Sequence, residues 1–201
     1  MVAIIDYDAG NLNSVKKALE YIGAKVCVTR DEKTILSAEH VVLPGVGAFG
    51  VAMEQLVKYG LDEVARQVAQ KGIPLLGICL GLQLLFGSSE ESEGVAGLSL
   101  LDGEVLRIPE AQGLKIPHIG WNSLELSGDG RLFRGIEDGA YVYFVHSYYL
   151  RAREESIVKA STEYGCRIHA SVERDNVFAC QFHPEKSGEV GLKILENFLK
   201  V

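Results

Sequence analysis

Gly77-Ile78-Cys79-Leu80-Gly81 sets a cysteine between two glycines, where an apolar run through residues 73–78 passes into a helix-like run through residues 80–86. A nucleophile elbow needs this layout. The chain turns so sharply from strand to helix that the residue at the tip is strained, and flanking residues without a Cβ let strand and helix pass closely. A thiol at that tip stands at a helix N-terminus, whose partial positive charge favours the thiolate. The plainer alternative is a small buried hydrophobe in a glycine-punctuated core. Residues elsewhere have to decide between the two.

Working outward, the first half alternates strands with helical patterns. Strands are expected at 2–6, 25–29, 40–43 and 75–78. Between them Leu12, Val15, Ala18, Leu19 and Ile22 recur at helical spacing, with Asn11 or Asn13 available as cap, and further helices cover 49–57 and 61–69. The second half carries shorter strands at 104–108, 122–126, 141–145, 157–160, 167–173 and 177–182, then a helix over 188–199. The expectation is an α/β fold over residues 1–201 as one domain. A central, mostly parallel sheet is flanked by helices and joined by a smaller antiparallel portion.

Composition narrows the chemistry. The chain has 201 residues and a net charge of −7, with no basic cluster, which argues against nucleic acid as a partner. The acidic run Glu90, Glu91, Glu93 reads as a solvated loop. The stretch 73–86 contains Gln83 and is too short for a bilayer, which takes about 20 residues. Residues 1–6 lack the basic start of a signal peptide, and Cys27, Cys79, Cys166 and Cys180 show no C-x-x-C pairing. A cytoplasmic protein with free thiols, no membrane contact, no metal and no cofactor is expected.

Two further stretches belong beside the elbow. His183-Pro184-Glu185 follows an expected strand, and open α/β sheets place ligands at strand carboxyl ends. A cysteine nucleophile needs a base, and the base needs a group that fixes its tautomer. Proline keeps the residue before it extended, so His183 and Glu185 are expected to face one site. The alternative is a loop histidine beside a surface glutamate. Pro44-Gly45-Val46-Gly47 ends another strand, and a glycine-rich strand end can turn backbone N–H groups toward an oxyanion. Residues 45–50 also spell G-x-G-x-x-G, but not in the first strand–helix turn where a dinucleotide fingerprint belongs. Gln83 lies one helical turn beyond Cys79; its amide either reaches a bound substrate or satisfies a loop backbone.

Together these stretches resemble the triad (class I) glutamine amidotransferases. Gly77-Ile78-Cys79-Leu80-Gly81 is similar to their nucleophile motif, Pro44-Gly45-Val46-Gly47 to their oxyanion strand, and His183-Pro184-Glu185 to their histidine and glutamate. Further segments resemble one branch of the family: Gly10-Asn11-Leu12, Pro117-His118-Ile119-Gly120-Trp121-Asn122, Tyr143-Phe144-Val145-His146-Ser147-Tyr148 and Gln181-Phe182-His183. The resemblance implies Cys79 as nucleophile, His183 as proton carrier and Glu185 as its orienter. It further implies that Gly45, Val46 and Gly47 hold the oxyanion, and that Gln83, Glu91, Ser147 and Tyr148 hold the amino-acid end of glutamine. In that branch the partner is a (β/α)8 cyclase subunit in a heterodimer, fed with ammonia through a channel. Trp121, Asn122 and Lys186 would lie toward that interface, unless the lone tryptophan packs the core. Other readings are a glutaminase serving another synthase, of the anthranilate or pyridoxal phosphate type, and a cysteine redox sensor without catalysis.

Overall fold

A computed structural model describes residues 1–8 and 11–201; Ala9 and Gly10, and with them the start of the Gly10-Asn11-Leu12 segment, lie outside the described residues. The first half runs β1 (Val2–Ile5), α1 (Leu12–Tyr21), β2 (Val26–Thr29), α2 (Glu32–Leu36), β3 (His40–Gly45), α3 (Phe49–Lys58), α4 (Leu61–Gln70), β4 (Leu75–Cys79) and α5 (Leu80–Leu84). The second half runs β5 (Gly103–Arg107), β6 (His118–Ser123), β7 (Glu125–Leu126), β8 (Tyr141–His146), β9 (Tyr148–Ala152), β10 (Val158–Glu163), β11 (Arg167–Arg174), β12 (Val177–Cys180) and α6 (Gly188–Phe198).

The main sheet has eight strands in the order β2-β1-β3-β4-β12-β11-β10-β7. Its first five strands pair in parallel, and β11, β10 and β7 extend it antiparallel. Two antiparallel ribbons, β5–β9 and β6–β8, supply the smaller portion. The central strands are buried throughout because helices cover both faces, so they read as unbroken apolar runs. Alternation still divides them. Ala3, Ile5, Val41, Leu43 and Ala179 pack toward α3 and α4, whereas Ile4, Val42, Leu76, Ile78 and Phe178 pack toward α1 and α6.

The local differences from expectation have physical causes. Of the two candidate caps of α1, Asn11 is used, its side chain accepting from Ser14 N at 3.4 Å. Helix α2 is a single capped segment, with Asp31 accepting from Thr34 N at 2.8 Å; five residues are too few to show a period. Strand β6 begins at His118 instead of residue 122 because it pairs along the whole of β8, His118 opposite His146 through Ser123 opposite Tyr141. Strand β9, unforeseen, follows β8 after one residue and pairs with β5. Strand β12 stops at Cys180, so Gln181 and Phe182 lie beyond its last pair.

Candidate active site

β3, β4 and β12 are neighbours, with Gly45 opposite Cys79 and Ile78 opposite Cys180, so their carboxyl ends come together at one place. Cys79 ends β4 at φ +55° and ψ −109°, a conformation that a residue with a Cβ adopts only under strain. The elbow is therefore real, and the glycines around it act as the spacing predicts. A Cβ on Gly77 would lie 2.8 Å from the Gly81 carbonyl oxygen, and one on Gly81 would lie 1.8 Å from that of Leu43. One expectation weakens: α5 has only five residues, so the dipole at the thiol is that of little more than one turn.

His183 leaves the sheet in an extended conformation, φ −99° and ψ 97°, and its N–H donates to Tyr143 O at 2.9 Å. Glu185 reaches it by a different route from strand alternation. Pro184–Lys186 form a single 3-10 turn, which brings the Glu185 carboxylate to 2.8 Å from His183 Nδ1. Both side chains are buried. An Nδ1–H donated to Glu185 fixes the tautomer and turns Nε2 toward chemistry. Nε2 itself has no hydrogen-bond partner among the described residues. Burial acts to lower the imidazole pKa, but the Cys79 sulfur and the Glu185 carboxylate more than offset this and raise it to about 9. The Cys79 thiol meanwhile points at Val145 O, 3.9 Å away.

A cavity of about 260 Å³ opens over the sulfur. Drug-sized ligands take roughly 300–1,000 Å³, so this one suits a single small metabolite. Its lining comes from the elbow and α5 (Cys79, Leu80, Gln83), from residues 145–148 and His183, and from Val46, Gly47 and Glu91. Val46, Gly47, Gln83, Glu91, Ser147 and Tyr148 thus all line it. Gly45 does not. It is buried one residue short of the cavity, and a Cβ there would lie 2.5 Å from Tyr7 Oη and 2.9 Å from Leu80 Cβ. Its part is close packing, whereas Gly47 holds φ +96° at the strand end.

Gln83 satisfies a backbone carbonyl while it lines the cavity. Nε2 donates to Tyr148 O and to Gln181 Oε1, each at 3.0 Å, so both amide hydrogens are taken and only the carbonyl oxygen is left for a ligand. The acidic loop is more than solvated. Glu91 Oε2 accepts from Phe49 N at 2.7 Å and Ser92 Oγ from Gly50 N at 2.9 Å. The loop thereby supplies the cap that Ala48, at the start of α3, lacks. Glu90 accepts from Arg107 N at 2.7 Å.

Two cavity neighbours went unforeseen. Gln181, fully buried, donates from Nε2 to Cys79 Sγ at 3.7 Å. His146 lines the cavity and belongs to a buried pair: its Nδ1 donates to Tyr148 O at 2.9 Å, and its Nε2 accepts from His118 Nδ1 at 3.0 Å. Asn122, half-buried, turns toward this pair, 3.4 Å from His118 Nε2, and donates to Glu163 O at 3.0 Å. Burial lowers the His118 pKa to about 4 and the His146 pKa to about 3, so both are neutral at pH 7.

The pair makes the fold acid-sensitive. Unfolded histidines bind protons near pH 6.5 that these two refuse in the fold, so stability is full above that pH and falls as pH drops through 4. His183, shifted the other way, contributes stability that is present below pH 6.5 and lost as pH rises through 9. Urea midpoints are expected to be highest between those limits and to fall from pH 6.5 to pH 4.5. A flat profile over that interval would contradict the buried neutral pair.

The chain matches the model of a family described as "Glutamine amidotransferase class-I" over residues 3–201. It is 55% identical over 197 residues to a protein of Moorella thermoacetica named "Imidazole glycerol phosphate synthase subunit HisH", covering 98% of this chain and 93% of that one. A protein of the same name from Methanocaldococcus jannaschii is 47% identical over 201 residues and all of both chains. Among solved structures, "Crystal structure of glutamine amidotransferase" aligns over all of both chains with a TM-score of 0.78 at 21% identity. PurLQS from Thermotoga maritima aligns over 99% of this chain and 97% of its own with a TM-score of 0.76 at 22% identity. These two likenesses are of fold alone.

Proposed function

The chain belongs to the class-I glutamine amidotransferase family, and from that premise we propose that it is the glutaminase subunit of an imidazole glycerol phosphate synthase. Residues 1–201 then form one amidotransferase domain. The observation that carries the chemistry is the meeting of three strand ends. They set a strained cysteine, a buried histidine and its carboxylate partner around one small cavity. A redox sensor has no use for the His183–Glu185 pair.

In the proposed reaction the Cys79 thiolate attacks the side-chain amide carbon of glutamine, forming a tetrahedral oxyanion beside Val46 and Gly47. His183, protonated through neutral pH, gives its Nε2 proton to the departing nitrogen. Ammonia leaves, and a γ-glutamyl thioester remains on the sulfur. Water then attacks the thioester while His183 takes a proton back, releasing glutamate and restoring the thiolate. Glu185 holds the imidazole in its Nδ1–H tautomer throughout. Glu91, Gln83 and the backbone of Ser147 and Tyr148 would hold the ammonium and carboxylate of the substrate.

The subunit names of the relatives imply a cyclase partner. A (β/α)8 cyclase subunit joined in a heterodimer is the finer reading. Its support is the outer face of the β6–β8 ribbon, whose inner face carries His118 and His146. Ile119, Trp121 and Tyr141 are 59%, 55% and 59% exposed there, and Lys186 Nζ stands 6.0 Å from the Tyr143 ring centroid. Trp121 therefore does not pack the core. Asn122, half-buried, lies on the inner face of the same ribbon. Ammonia released in bulk water at neutral pH is mostly protonated and no longer a nucleophile, which favours direct transfer. The same reading makes this a cytoplasmic enzyme. Among the described residues, no helix is long and apolar enough to cross a membrane.

The test is ammonia release from glutamine by the chain alone and with the cyclase subunit. Stimulation of at least about tenfold is expected, and an equal rate in both would sink the reading of a partnered subunit. Trp121→Ala is expected to weaken association by about 30-fold, as loss of an aromatic anchor does, with glutamine turnover by the isolated chain unchanged. Unaltered affinity in a titration would place the interface elsewhere.

A further inference from the structure

Tyr148 O is the fixed point of a hydrogen-bond chain that ends on the nucleophile. A backbone carbonyl can only accept, so the Gln83 atom 3.0 Å from it has to be nitrogen. The second hydrogen of that nitrogen goes to Gln181, which therefore presents its oxygen to Gln83, also at 3.0 Å. The other end of the Gln181 amide is then its nitrogen, 3.7 Å from Cys79 Sγ. The orientation of a fully buried amide is thus dictated step by step from a group that cannot flip.

We propose that Gln181 is a catalytic residue: its side-chain N–H, aimed at Cys79 Sγ through Gln83, stabilises the nucleophile as thiolate and as the thioester's leaving sulfur. No lysine or arginine among the described residues lines the cavity. The titratable groups around the sulfur are His183 with its partner Glu185 beyond β12, Tyr7 beyond β1 and Cys180 at the end of β12, with Glu91, His146 and Tyr148 lining the same cavity. Tyr7 and Cys180 are both raised, first by burial and also by the Cys79 charge, so both stay neutral. His183 is the mobile proton carrier and leaves the sulfur's side of the pair when it protonates the departing nitrogen. Gln181 is the donor that stays, because a neutral amide neither gains nor loses a proton over the cycle. The dipole of the short helix α5 adds little there.

The experiment, which rests on the glutaminase reading only for its kinetic arm, follows the alkylation rate of Cys79 by iodoacetamide against pH in the intact chain. Gln181→Met keeps the shape and removes the donor. Gln181→Glu keeps an acceptor for Gln83 but sets a carboxylate against the sulfur. Both are expected to move the midpoint of thiol reactivity upward, by about one pH unit for the methionine and at least as far for the glutamate. With the synthase partner present, kcat for glutamine is expected to fall about 10- to 100-fold while KM stays within about threefold. An unmoved reactivity midpoint in the folded glutamate variant overturns the proposal, whether or not the methionine variant folds. So does a loss confined to KM, which would make Gln181 a wall of the substrate site. Alkylation needs neither glutamine nor partner. A reactivity midpoint that moves on substitution of Gln181, with no ammonia released by the wild-type chain even beside its synthase partner, would overturn the glutaminase reading and leave the thiolate contact standing.

Discussion

Cys79→Ala is expected to lower glutamine hydrolysis by at least about 10⁴-fold, the scale on which enzymes lose rate when a covalent nucleophile is removed. The thioester route needs Sγ, and no second nucleophile replaces it. Cys180, the nearest other thiol, is fully buried, and burial raises its pKa well above that of an ordinary cysteine. The fold should survive. The sulfur borders a cavity, so its loss leaves little new void, and its hydrogen bonds to Val145 O and Gln181 Nε2 are long and weak. Stability within about 1 kcal/mol of the parent is expected. Cys79→Gly separates the two effects further. It also lacks the thiol, but it adopts φ +55° without strain, so it should match or exceed the parent in urea while equally inactive. Ammonia release above about 1% of the parent rate in either variant would remove Cys79 from the mechanism.

Gly81→Ala is expected to be the most damaging single methyl near the site, costing at least about 3 kcal/mol and the activity with it. Propensity alone predicts the opposite sign. Gly81 lies inside α5, where alanine is normally better by about 1 kcal/mol. Sterics decide, because the new Cβ would lie 1.8 Å from the Leu43 carbonyl oxygen. Neither side can retreat. Leu43 belongs to a buried strand paired residue by residue with β4, and Gly81 follows the elbow by two residues. Relief has to come from lifting α5 off β3, which moves Cys79 away from His183. For a chain of this length, a melting temperature lower by roughly 6–12 °C corresponds to that loss. An unchanged melting temperature would mean that strand and helix are not in such close contact.

The parts of the molecule legible in sequence are those written in neighbouring residues. Gly77 and Gly81 around Cys79 spell the elbow, and His183-Pro184-Glu185 spells the buried histidine and its carboxylate partner within three positions. Unbroken apolar runs such as residues 2–5 and 177–180 announce strands covered on both faces. What escaped depends on partners far along the chain. Gln181 bonds residues 98 and 102 positions away, and it looked like the end of a strand. A buried amide in an apolar run was a usable signal there, as it was for Gln83. His146 is neutral chiefly because it is buried, and its hydrogen-bond partner His118 lies 28 positions earlier, on a strand whose start is set by pairing with β8. Gly45 carries a second constraint that the sequence did not show. Its place in Pro44-Gly45-Val46-Gly47 suggested a backbone contact to a ligand; independently of that, Tyr7 Oη and Leu80 occupy the space a side chain would need, and both lie far away in the sequence.

Glu91 carries a consequence for how this site can be altered. One of its oxygens closes helix α3 through Phe49 N, directly after the strand end that holds Val46 and Gly47, while the residue also lines the cavity. In the proposed reaction, substrate affinity and the rigidity of that strand end therefore draw on a single carboxylate. Selection or design acting on either property shifts the other, so adjusting one alone has to begin at Ser92, which caps the same helix without lining the cavity.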